Sequence, residues 1–222
     1  MERLAKISKN DKEFAEKRRK PKAGDERRCV MILGLTGGIG CGKSAAAQKF
    51  VALGFHLVDS DALIRNRVLQ DPAVTREICA RYGDAILMTD GRVDRSVLAA
   101  RVFGDDRERV WLEALTHPIL FGIWREELAL ASVRRWVFEV PLLFEQRLEN
   151  WFDFTVCVAC SFDQQIVRLE QRGLSRGLAE KRIAKQLPLA RKVELADKVL
   201  WNDGTLLFLH AQIDTLVGSL PN

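Results

Sequence analysis

The stretch LTGGIGCGKS, residues 35–44, decides how the rest of the chain is read. It sets four glycines within eight residues and follows them with a lysine and a serine. Glycine costs backbone entropy on folding, so this density implies something that must approach the backbone closely. Gly37, Gly38, Ile39, Gly40, Cys41, Gly42, Lys43 and Ser44 fit G-x-x-x-x-G-K-[ST], the phosphate-loop pattern. Glycines let successive N–H groups turn inward around an anion, and the helix that starts here adds its positive dipole end. Lys43 is then expected on the β- and γ-phosphates of a nucleotide, and Ser44 on Mg²⁺ through its hydroxyl. A glycine-rich turn would match by chance in on the order of one chain in a hundred of this length.

The surroundings weigh against chance. VMILGLT (30–36) is a continuous apolar run, as a parallel strand buried on both faces requires. After the loop, Ala46, Phe50 and Leu53 recur at helical spacing until Gly54 stops the helix. FHLVDSD (55–61) reads as a second strand, followed by helical patterning from Ala62 to about Ala131. RYGDAILMTDGR (81–92) and His117-Pro118 interrupt that block. Strand-like runs return at WVFEV (136–140), FTVCVA (154–159) and KVLW (198–201), and an amphipathic helix follows Gly204. Strands alternating with helices predict an α/β fold with a mostly parallel sheet, and a helical insertion between the second and third strands.

Composition narrows the class. The chain has 222 residues, 47% of them apolar, enough for one domain with a subdomain. It contains no apolar run of about 18 residues, so no membrane span is expected. The five cysteines are an odd number at irregular spacing, which predicts reduced thiols and a cytoplasmic setting. Of the formal charge of +5, all comes from Met1–Arg28, where 11 basic residues face 6 acidic ones. The body is therefore neutral, and no nucleic-acid partner is expected. Residues 1–28 read as a basic, flexible extension, and residues 1–30 as dispensable, with Met31 as an alternative start.

A phosphate loop alone does not separate kinase, switch GTPase and motor ATPase. The guanine-reading Asn-Lys-x-Asp is absent, and no apolar run ends in the acid pair of an ATPase. Asp59-Ser60-Asp61 ends the second strand instead. In a parallel sheet the carboxyl ends of neighbouring strands share one rim, so these acids are expected to face the loop. A carboxylate there can take the proton of an acceptor hydroxyl. One of these residues can instead cap the helix from Ala62. The pattern favours a small-molecule kinase.

GLTGGIGCGKS (34–44), VDSDAL (58–63), WLEALTHP (111–118), VPLLFE (140–145) and ADKVLWNDG (196–204) together resemble the dephospho-coenzyme A kinases, over essentially Met31 to Leu220. The resemblance implies a P-loop NTPase-type three-layer parallel sheet with a helical acceptor-binding insert and a lid. It implies a core of 29–61 and 133–222, an insert of about 62–132 and a lid of about 173–192. The implied reaction is ATP-dependent phosphorylation of the 3′-hydroxyl of dephospho-CoA, giving CoA and ADP, with Mg²⁺. It further implies Asp61 as the base, and Arg101 and His117 in the part of the insert that holds the CoA moiety. Pro141, Leu142 and Leu143 match a segment beside the acceptor. Arg172 matches the catalytic lid arginine, in a stretch with Arg168, Arg182 and Gln186, and Asn202 matches an adenine contact. A monomer is expected.

Each assignment has a plainer counterpart. His117 before Pro118 can be a helix N-cap with proline at the first helical position. Pro141 and the leucines can be strand-end packing, and the polar run from Gly173 to Lys192 a solvated helix. Cys41 and Ala45 stand where the family often has serine and threonine, so the backbone cradle is kept while a hydroxyl is lost. A thiol at a helix N-terminus is expected to have a lowered pKa. Arg172-Gly173 stands where the family often has arginine then aspartate. Cys157 and Cys160 make a C-x-x-C within an apolar run, which reads as core and not as a redox or metal pair. Two rivals carry the same loop: a nucleoside or nucleotide kinase with another acceptor, and a nucleotide sensor whose tail engages nucleic acid. Acceptor-dependent ADP release excludes the sensor; salt-sensitive DNA or RNA binding through the tail supports it.

Overall fold

The computed structural model describes residues 30–102, 105–129 and 134–220, so the basic extension read at 1–28 lies outside the described residues. The chain divides into two units. One is made of residues 30–59 and 134–220, the other of residues 60–102 and 105–129.

The first unit holds a five-stranded, all-parallel sheet: β1 (Met31–Gly37), β2 (His56–Asp59), β3 (Arg135–Glu139), β4 (Phe154–Ala159) and β5 (Lys198–Trp201). Their spatial order is β2-β3-β1-β4-β5. Both directions of strand order diverge from β1, which makes the carboxyl end of β1 the place where ligands of such sheets sit. The continuous apolar runs of β1, β3 and β4 match their position in the middle, where Leu33, Leu35, Val137, Val156 and Val158 are buried. Helix α1 (Lys43–Ala52) leaves β1 through the glycine loop and packs Ala46, Ala47 and Phe50 into the core. Burying a ring such as Phe50 contributes about 1.5–3 kcal/mol. After β4 come α6 (Phe162–Glu170), α7 (Arg176–Ala184) and α8 (Leu189–Leu195), and α9 (Leu206–Gly218) follows β5.

The second unit is helical: α2 (Ser60–Asn66), α3 (Pro72–Tyr82), α4 (Arg95–Val102) and α5 (Asp106–Leu128). Asp71 caps α3, its carboxylate accepting from Ala73 N and Val74 N. Arg81 Nε and Nη2 make a two-pronged ion pair to Glu108 at 2.6 and 2.7 Å, and Tyr82 Oη donates to the same carboxylate.

Two local expectations are corrected. The second strand ends at Asp59 and the helix begins at Ser60, not Ala62, which puts Asp61 in a first helical turn where a carboxylate suits the dipole. His117-Pro118 does not break or cap a helix: α5 runs through it for 23 residues. Proline removes one ladder donor, yet Thr116, Leu120, Phe121, Ile123 and Trp124 around it are buried, and that burial outweighs the lost bond. Thr116 also donates its hydroxyl to Leu112 O at 2.8 Å.

Candidate functional site

The glycine loop is shaped by positions where no other residue fits. Gly37 has φ +145°, and a Cβ there would lie 2.2 Å from Val158 O of the neighbouring strand. Gly42 has φ +96°, and its Cβ would lie 2.2 Å from Asn202 Nδ2. Around these points the loop backbone is tied down from four directions. Gln165 Nε2 donates to Ile39 O at 2.7 Å, while Ile39 N donates to Gln186 Oε1 at 3.1 Å. Arg168 donates to Gly40 O at 3.4 Å and to Asn202 O at 2.8 Å. Asn202 Nδ2 donates to Cys41 O at 2.8 Å. The Lys43 ammonium lies over the loop, 3.2 Å from Gly37 O and 3.1 Å from Gly38 O. A cradle held this firmly costs little to organise when a phosphate enters.

At the end of the loop Ser44 Oγ donates to Glu139 Oε1 at 3.3 Å. Glu139 ends β3, between its register partners Leu35 of β1 and Asp59 of β2. Two hard oxygen ligands of this kind, beside a phosphate cradle, suit Mg²⁺, which is usually bound through one or two carboxylates and the substrate's phosphates. Among the described residues no cluster of three or more His, Cys, Asp or Glu offers a dedicated protein cage. Asp59 shares the strand-end rim with Glu139.

The thiols pair across the loop. Cys160 Sγ donates to Cys41 Sγ at 3.5 Å, both residues being buried. That bond, with Lys43 nearby, lowers the Cys41 pKa to about 7 against the opposing effect of burial. Cys160, the donor, is shifted upward. Cys157 lies within β4 and burial pushes it up to about 12. The C-x-x-C residues are therefore core, and the partner of Cys160 is Cys41.

Comparison with known proteins agrees with this cradle. A family model described as dephospho-CoA kinase matches residues 31–207. The chain belongs to the dephospho-CoA kinase family. Among curated relatives, the dephospho-CoA kinase of Thermosynechococcus vestitus is 42% identical over 83% of this chain and 92% of its own. That of Acinetobacter baylyi is 38% identical over 84% and 96%. A Thermus thermophilus protein of known crystal structure superposes with a TM-score of 0.77 at 32% identity, covering 87% of this chain and all of that one. The dephospho-CoA kinase of Campylobacter jejuni, at 22% identity and a TM-score of 0.62, shares the fold.

The residues expected to act are distributed over both units. Gly37–Ser44 and Ala45 form the loop and the first turn of α1, with Lys43 and Ser44 at hand. Arg172 is exposed just beyond α6. Asp61, Arg101 and His117 belong to the helical unit: Asp61 and Arg101 exposed, His117 half-buried against Phe121 with ring centroids 5.4 Å apart. Burial holds the His117 imidazole below its usual value of 6.5, Glu113 acting weakly in the other direction. Asn202 is only 6% exposed and spends its amide on Cys41 O, so in this structure it braces the loop. Leu143 is fully buried, and a Cβ on Gly34 would lie 2.7 Å from it, which makes it a core residue. Pro141 contributes its carbonyl, which accepts from Thr36 Oγ1 and Lys192 Nζ. Leu142 beside it is half-buried.

Sequence reasoning missed Glu139, Gln165, Lys192 and Glu145 as parts of this framework. Lys192, wholly buried, is 2.8 Å from Glu145 Oε1, and Leu187 N donates to the same oxygen at 3.0 Å. The polar stretch 173–192 thus ends on an anchored lysine. An apolar strand ending in a single acid, WVFE, was the available signal for Glu139. Nothing local distinguishes Lys192 from its surface neighbours.

Proposed function

We propose that the chain transfers the γ-phosphoryl group of ATP to the 3′-hydroxyl of dephospho-CoA, giving CoA and ADP. The observation that carries this reading is the braced glycine loop, with Lys43 above it and the Ser44–Glu139 pair at its end, in a member of this family. The triphosphate lies along Gly37–Ser44, where backbone N–H groups and Lys43 compensate its charge. Ser44, supported by Glu139, holds Mg²⁺, which when bound neutralises charge on the β- and γ-phosphates. Asp61 accepts the proton of the ribose hydroxyl, so the attacking oxygen gains electron density as the γ-phosphorus–oxygen bond breaks. Arg172 brings positive charge to the transferring group on closure, and the same closure excludes water. Arg101 and His117 hold the CoA portion, Pro141 and Leu142 serve the acceptor, and Asn202 meets the adenine after releasing Cys41 O. On this reading the enzyme is a monomer, and a cytoplasmic one in line with its odd number of irregularly spaced cysteines.

The test is the purified chain with Mg-ATP and dephospho-CoA, CoA being followed by mass and ADP by a coupled assay. Stoichiometric CoA and ADP are expected. ATP hydrolysis that ignores dephospho-CoA would overturn the reading.

A further inference from the structure

Lys192 is a wholly buried cation that the reaction described above leaves unused. It lies on α8, and its ammonium reaches two points on one turn: Pro141 O at 2.9 Å and Glu145 Oε1 at 2.8 Å. Taking two charges out of water is costly, and apolar residues of similar volume often stabilise a core as well or better. Stability alone is therefore a weak reason for a lysine here. What it holds gives a stronger one.

The turn, residues 141–148, follows β3 after Val140. Gln146 N donates to Leu142 O, Arg147 N to Phe144 O and Leu148 N to Leu143 O, at 3.1, 3.2 and 2.9 Å. Arg147 takes φ +53°, a left-handed conformation unfavourable for a residue with a Cβ. Such a conformation persists only where its surroundings enforce it. Lys192 grips the turn at Pro141 and again at Glu145. Glu145 Oε1 also accepts from Leu187 N at 3.0 Å, whereas Oε2 is buried with no hydrogen-bond partner among the described residues. The ammonium therefore supplies the charge compensation that this largely buried carboxylate needs.

Pro141 O accepts a second hydrogen bond, from Thr36 Oγ1 at 3.2 Å. Thr36 is wholly buried and immediately precedes Gly37, the first residue of the phosphate loop. One carbonyl therefore joins the end of β1 that leads into the loop, the turn after β3, and α8. We propose that Lys192 is a positioning residue for phosphoryl transfer: by gripping Pro141 O and Glu145 it fixes Leu142, and so the acceptor, relative to the phosphate loop. This rests on the dephospho-CoA reading of the preceding subsection, in which Pro141 and Leu142 serve the acceptor. Lys192 itself touches neither substrate. In-line transfer depends on alignment of the attacking oxygen with the γ-phosphorus, so loosening the turn slows the reaction without removing a reacting group. The loop keeps its own braces in Gln165, Gln186, Arg168 and Asn202, so ATP binding does not depend on the lysine.

The experiment compares the full-length chain with Lys192→Met, with Lys192→Met combined with Glu145→Leu, and with Thr36→Val. Turnover of dephospho-CoA and thermal melting are measured for each, and amide hydrogen exchange for the double variant. Both Lys192 variants should lose about 10- to 100-fold in kcat, the effect of a misplacement of about 1 Å, with the KM for ATP unchanged. The double variant should melt above the single one yet recover none of the rate. Its amides at residues 142–148 should exchange faster, while those of β1 and β4 keep their protection. Thr36→Val leaves the ion pair intact and should lower kcat about 2- to 10-fold, the worth of one neutral hydrogen bond. Wild-type kcat in Thr36→Val, or a rate that returns with stability in the double variant, overturns the proposal and leaves Lys192 a structural residue. A lost rate without faster exchange in the turn, or a raised KM for ATP, overturns it as well. The kinase reading survives each of these results. A wild-type chain that phosphorylates no dephospho-CoA removes that reading and the proposal together.

Discussion

Ser44 Oγ donates to Glu139 Oε1 across 3.3 Å, tying the first turn of α1 to the last residue of β3. This contact joins the phosphate loop to the only acidic residue in that strand. Glu139→Gln keeps the hydrogen bond but removes the charge, so it should weaken Mg²⁺ dependence and lower kcat by about 10- to 100-fold. Titrating activity against Mg²⁺ at saturating ATP checks this; a variant with the wild-type Mg²⁺ curve would show that Glu139 only orients Ser44.

Lys43 already sits over the loop carbonyls. Lys43→Met should lower kcat by about 100-fold or more, the scale seen when a preorganised charge partner is lost. Its thermal melting should change little. A fall in melting temperature as large as the fall in rate would mean the lysine is structural.

Asp61→Asn should depress kcat and leave ATP binding intact, because the residue serves the acceptor and not the nucleotide. Single-turnover phosphoryl transfer, with ATP affinity measured separately, tests it. An unchanged rate would exclude Asp61 as the base.

Lys192 and Glu145 form a buried ion pair, with Lys192 wholly inaccessible. Lys192→Met leaves a carboxylate stranded and should cost about 3–5 kcal/mol in unfolding free energy. Adding Glu145→Leu should restore part of that stability, since the stranded charge is gone. Denaturant unfolding of both variants decides it; an additive loss would mean the two residues act independently.

His117 protonates at a lower pH in the folded chain than in the unfolded one, because burial disfavours the imidazolium. The unfolded state therefore binds more protons, and stability falls as pH drops through 6.5 and is complete above it. His117→Gln should flatten that acid limb in melting curves taken between about pH 5 and 8. A limb of the same slope would assign the loss to other groups.

The loop, its strand and its helix were legible because they are local. Glycine spacing and a buried apolar strand specify a phosphate cradle within about twenty residues of chain. The alternation of strands and helices likewise announces a parallel sheet, since parallel neighbours need crossovers of about a dozen residues or more, usually helical. His117-Pro118 misled for the same reason: proline's local cost is visible, whereas the burial of Leu120, Phe121 and Trp124 that repays it is not.

What the sequence by itself determined is the nucleotide loop and the order of elements, carried by residues near one another in the chain, and the family, carried by five short segments taken together. Only the tertiary structure decided which groups brace that loop. Glu139 lies 95 residues from Ser44, Gln186 147 from Ile39, Cys160 119 from Cys41, and Asn202 161 from the same cysteine. Such pairs are set by strand order and register, which bring chain ends of separate crossovers to one rim; no local pattern encodes which side chain will arrive there.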